Sequence, residues 1–89
     1  MCRNIKILFN FDPPATDEEI HNASLQFVRK LSGFNNPSKV NEAAFNLAVE
    51  EISNAAQNML ETLETNAEPR NREIEARRIH ERAIARFTV

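Results

Sequence analysis

Four groups of side chains in this sequence have the chemistry to act. The first is Cys2 with Arg3, in the opening MCRNI. Methionine is commonly removed before a small residue, which would leave a terminal cysteine carrying a thiol and an α-amine together. Such a terminus is a nucleophile with its own base, or a two-point metal ligand. The Arg3 guanidinium would favour the thiolate by coulombic attraction. The plainer reading, a small side chain tucked beside the core, is preferred. The second group is Cys2, His21 and His80, three ligands of the kind zinc takes. They lack any short CxxC or HxxxH spacing, so solvated surface histidines explain them better.

The third group is the stripe Arg78, Arg82 and Arg86, which repeats every four residues on one helix face. A stripe of that kind can follow a phosphate backbone. Against this, Glu73–Arg77 and Arg78–Glu81 stand at pairing distance on the same helix. No aromatic residue is interleaved for base stacking, and the formal net charge of −2 repels nucleic acid at long range. Pairing of these arginines with Glu42, Glu50, Glu51, Glu61 or Glu64 of the preceding helix is the expectation. The fourth group is Asn35, Asn36, Asn41 and Asn46, near Arg29, Lys30 and Lys39. Turn and cap chemistry accounts for these asparagines better than a small-anion site at a helix N-terminus.

The elements that must position these groups are bounded by length and composition. Eighty-nine residues make one domain and not two. A chain 42% hydrophobic and 27% charged folds in water. No apolar run approaches the roughly 18 residues of a membrane span. The opening lacks the apolar core and cleavage site of a signal peptide. A single cysteine makes no internal disulfide. The expectation is a cytoplasmic protein with no membrane partner. One glycine excludes a glycine-rich phosphate loop, and no cofactor is expected. The charge is divided: residues 1–69 carry −5 and residues 70–89 carry +3. Such a split marks either a polyanion-binding end or two faces that attract each other.

Three helices are predicted. Pro13-Pro14 bars helix before residue 15. Thr16 and Glu19 then form a capping box, with Asp17 and Glu18 in the first turn. Ile20, Ala23, Ser24, Phe27, Val28 and Leu31 follow at helical spacing, and Gly33 supplies the left-handed stop, so helix one is 16–32. Ser38 is the expected cap of helix two, 38–66, whose wide apolar stripe suits burial against more than one element. Pro69 precedes helix three, 70–87. Helix two would span roughly 43 Å against roughly 25 Å for the others, leaving part of it uncovered. The head, residues 1–15, alternates over Ile5-Lys6-Ile7-Leu8-Phe9-Asn10-Phe11. If extended, it puts Ile5, Ile7, Phe9 and Phe11 on one face. It is read as a flap that completes the core, ahead of a β-pairing seam between two copies.

The opening MCRNI, the LFNF-x-PPAT segment, the QFVRK-x-SG end of helix one and the PS-x-x-NE-x-AF start of helix two together resemble a small bacterial family, domain of unknown function family 2277. The resemblance covers nearly the whole chain, most closely residues 1–50. It implies a stand-alone bacterial protein and carries no activity and no catalytic residues.

The fold expected is all-α: a single domain over residues 1–89, three helices with a long central one, and an extended N-terminal segment packed on the core. The function expected is non-catalytic binding or protein interaction, with a homo-oligomer or a protein partner. A small enzyme or redox protein acting through Cys2 is the first alternative. A nucleic-acid-associated protein using the helix-three arginines is the second, and is not favoured.

Overall fold

The structure is a computed structural model and describes residues 4–87, with side chains as far as Ala85. Helix α1 runs Asp17–Ser32. Its N-terminus carries the capping box: Glu19 N–H donates to Thr16 Oγ1 at 3.1 Å, and Thr16 N–H donates to Glu19 Oε1 at 3.0 Å. Gly33 closes the helix at φ 79°, where its N–H reaches the Arg29 carbonyl. No L side chain adopts that conformation readily.

Helix α2 runs Glu42–Thr62, after a short 3-10 turn over Lys39–Asn41. Ser38 does not cap it as expected. The Ser38 hydroxyl instead accepts from Asn41 Nδ2 at 2.8 Å. Nor does α2 reach residue 66. Thr62 Oγ1 hydrogen-bonds back to the Asn58 and Met59 carbonyls, and Leu63 turns extended. At 21 residues α2 spans about 31 Å, and α1 with 16 residues about 24 Å. The predicted mismatch in length is therefore mostly absent.

α1 and α2 pack as an antiparallel hairpin. Val28, Phe45 and Val49 form its buried centre, with Leu25, Ala48 and Ile52 packed against them. Ile20 and Ser24 extend the burial along α1. The Ser24 hydroxyl donates to the Ile20 carbonyl at 2.9 Å, so no buried side-chain polar atom among the described residues lacks a partner.

The fold is not purely helical. Strand β1, Phe11–Asp12, pairs in parallel with β2, Arg70–Asn71, in the register Phe11 with Arg70 and Asp12 with Asn71. Helix α3, Arg72–Phe87, begins directly after β2. The third helix was predicted from residue 70, but tertiary pairing takes its first two residues into the sheet. Asn71 then caps it, its Oδ1 accepting from the Ile74 N–H at 3.1 Å. α3 does not join the hairpin as a third bundle helix. It leads away from the sheet, and the molecule is flat, 46 × 37 × 15 Å.

The head also departs from simple alternation. Asn10 sits at φ 63°, which breaks the strand one residue before β1. Leu8, Phe9 and Phe11 are half-buried, while Ile5 and Ile7 remain exposed. The head packs its apolar side chains on the hairpin at its second half, and its first half is tied to α1 by the Asn4 N–H, which donates to Gln26 Oε1 at 2.9 Å.

Candidate functional site

The head, α1 and the start of α3 meet at one charged cluster. Its centre is Glu19, already committed to the capping box. Arg72 grips the same carboxylate with both terminal guanidinium nitrogens, at 2.9 and 3.1 Å. Its Nε donates to the Pro13 carbonyl at 2.9 Å. Arg72 thereby joins head, α1 and α3 through one planar group, which suits the bidentate fork of arginine. Two guanidinium groups lie over the Phe11 ring, that of Arg72 at 5.4 Å and that of Arg70 at 5.9 Å from its centroid.

A second tether fixes the chain before β2. Asn10 Nδ2 donates to the Ala67 and Glu68 carbonyls at 3.3 and 3.1 Å, and the Asn10 carbonyl accepts from the Arg70 N–H at 2.7 Å. The left-handed backbone of Asn10 turns its amide and its carbonyl toward the same strand.

Between the head and α3 lies an open cleft of about 480 Å³. Ile7, Leu8 and Phe11 line one wall, Ala76 and Ile79 the other. Lys6, Arg70, Arg72 and Arg82 stand around it, with Glu19 and Glu75. Two further depressions are less charged. One, of about 380 Å³, runs between Phe9 and Phe11 of the head and Leu60 of α2. The other, of about 600 Å³, follows the α1–α2 groove and includes His21, Asn46 and Gln57.

The hydrogen bonds from Arg72, and next the Thr16 backbone N–H, pull the Glu19 pKa from its ordinary 4.5 down to about 2. Partial burial opposes them, and the charges of Arg72 and Lys6 add to the fall. Glu19 in turn raises the Arg72 pKa, chiefly through the hydrogen bonds. A carboxylate held that low is ionised at neutral pH. It is poorly matched to general acid–base work, which wants a pKa near the working pH. The cluster is an anchor.

The residues singled out in the sequence fall in different places. Cys2 and Arg3 lie outside the described residues, as does the side chain of Arg86. His21 lines the α1–α2 groove and His80 is exposed on α3. Among the described residues, no three His, Cys, Asp or Glu side chains gather where they could hold a metal ion. Arg78 pairs with Glu75 at 3.3 Å and not with Glu81. Arg82 borders the cleft. Among the described residues the ion pair that links elements is Arg72–Glu19, so α3 is tied to α1 and not to the glutamates of α2. Arg29 Nε donates to the Asn35 carbonyl at 2.9 Å, which spends that side chain on the turn.

Lys6, Phe11 and Arg72 are not marked as site residues by any spacing in the sequence. Arg72 and Glu19 stand 53 positions apart, so no local spacing betrays them. The one available signal was a capping-box glutamate and an arginine run straight after Pro69.

The model of a family described as "Uncharacterized conserved protein (DUF2277)" matches residues 1–78. That span includes Glu19, Arg70 and Arg72 and stops before Arg82. No curated protein and no solved structure matches the chain. Since the match covers most of the 89 residues, and the head, hairpin and sheet with it, the chain belongs to the DUF2277 family of uncharacterized conserved proteins.

Proposed function

We propose that this is a small cytoplasmic bacterial protein that binds other protein chains without catalysis, folded as one domain and paired with a second copy of itself. The observation that carries the reading is unburied surface. A compact monomer of 10.2 kDa exposes about 5,300 Å² by the size scaling of folded proteins. This chain exposes 7340 Å². The excess of about 2,000 Å² is larger than the roughly 800 Å² that each partner contributes to a standard interface. The radius of gyration agrees: 15.9 Å, against about 12 Å for a compact chain of this length.

Much of that surface is apolar. Leu47 and Met59 are about half exposed, at 54% and 52%. They share one side of α2 with exposed Ala44 and Ala55, interrupted by Glu51. Leu31 is 71% exposed at the end of α1. Exposed apolar side chains grouped along one helix face in this way support an interaction surface. The nucleic-acid reading ranks lower, because the Arg78 guanidinium is occupied by Glu75 and the chain is acidic.

Sedimentation equilibrium at micromolar concentration tests the pairing. The expected species has twice the chain mass, and Leu47→Glu with Met59→Glu returns it to one chain mass at unchanged helicity. A wild-type species of 10.2 kDa at every concentration would refute it.

A further inference from the structure

We propose that the cleft between the head and α3 binds a small amphipathic anion: a carboxylate or phosphate head on an apolar tail. The argument starts from charge. Both carboxylates at the cleft are already engaged by arginine, Glu19 by Arg72 and Glu75 by Arg78. Lys6, Arg70 and Arg82 thus bring positive charge to the rim, and among the described residues none of the three is in a salt bridge with a carboxylate. They come from three elements: the head, β2 and α3.

The walls between these cations are apolar. Ile7 is 60% exposed and Ile79 57% exposed across the cleft from each other, with Leu8, Phe11 and Ala76 beside them. Apolar walls with a few convergent charged groups are the usual make-up of a ligand site, and about 480 Å³ lies within the range of such sites. A simple inorganic anion would leave the isoleucines in water. A neutral apolar molecule would bring no anion to the three cations. An anion with a tail satisfies both. The Arg72–Glu19 bridge and the Asn10 tether hold the two walls together, so the site is largely formed before the ligand arrives.

The test is titration of 15N-labelled full-length protein with octanoate, octyl phosphate, acetate and 1-octanol, followed by amide shifts. The expected result is saturable binding of octanoate or octyl phosphate, with shifts centred on residues 6–11 and 70–82. Acetate and octanol should bind at least about tenfold more weakly. Preference between the two octyl anions identifies the head group. Replacing the rim cations together, Lys6→Gln, Arg70→Gln and Arg82→Gln, should weaken binding by at least about tenfold. None of these side chains belongs to the Glu19–Arg72 bridge. The wild-type map and its loss at high salt stand even if that variant folds poorly. Octanol binding as tightly as octanoate, shifts centred on α2, or no saturation by either octyl anion would each overturn the proposal.

Discussion

The Glu19 carboxylate accepts from Thr16 inside its own helix and from Arg72 at the far end of the chain. Its pKa is depressed in the fold, to about 2 from 4.5. The sign of the linkage follows. The folded state holds the charged form more strongly than the unfolded chain does, so the stabilisation is present in full above about pH 4.5 and is lost as pH falls through about 2. The melting temperatures of wild type and Glu19→Gln should therefore differ at pH 7 and converge toward pH 2. A gap that stays constant over that range would remove the electrostatic account. Asn10 offers a second residue-scale test. Asn10→Ala loses both side-chain hydrogen bonds and keeps a left-handed backbone that alanine resists. A fall of about 4–8 °C in melting temperature is expected for a chain of this size. Asn10→Gly relieves the backbone and should fall less; an equal fall for both would mean that the conformation contributes nothing.

The elements divide into two parts of unequal stability. The α1–α2 hairpin holds the buried residues, and within it Phe45 is the largest. Phe45→Ala should cost about 3–5 kcal/mol, a large share of the stability of a domain this small, and chemical denaturation measures it. Among the described side chains of α3 none is buried. The helix is fastened by β1–β2, by Asn71 and by Arg72. Segments with few buried contacts open first. Deleting residues 1–11 removes Asn10 and the Phe11 half of the sheet, so α3 amides should lose protection from hydrogen exchange while α1 amides keep theirs. Retained protection across α3 would show that the helix is held by something other than the head.

For the whole molecule, a flat shape only 15 Å thick allows little interior. A two-helix layer with a sheet-linked arm leaves many large apolar side chains exposed, and the second copy proposed above would cover them. Pairing also makes stability depend on concentration, since association stabilises only the folded form. The melting temperature should rise by a few degrees over a tenfold rise in protein concentration. A concentration-independent transition, with a single chain mass in the centrifuge, would mean that the flat molecule stands alone.

The sequence alone determined what local chemistry controls. Thr16, Glu19 and Gly33 set both ends of α1, because caps act within one turn. The wide apolar stripe of α2 did not by itself choose the buried face: Phe45, Val49 and Ile52 pack on α1, while Ala44, Leu47, Ala55 and Met59 of the same stripe stay exposed. The resemblance in residues 1–50 pointed to the family. Tertiary structure alone decided the rest. Arg70 and Asn71 read as helix locally, yet they pair with Phe11 and Asp12, since a sheet needs a partner that no window of sequence contains. α2 stops at Thr62, and the chain beyond it is held at Ala67 and Glu68 by Asn10 of the head. The cleft exists because residues near positions 6, 19, 72 and 82 converge. Contacts at such separations depend on how the elements pack, and packing is a property of surfaces brought together, with no periodicity along the chain to announce it.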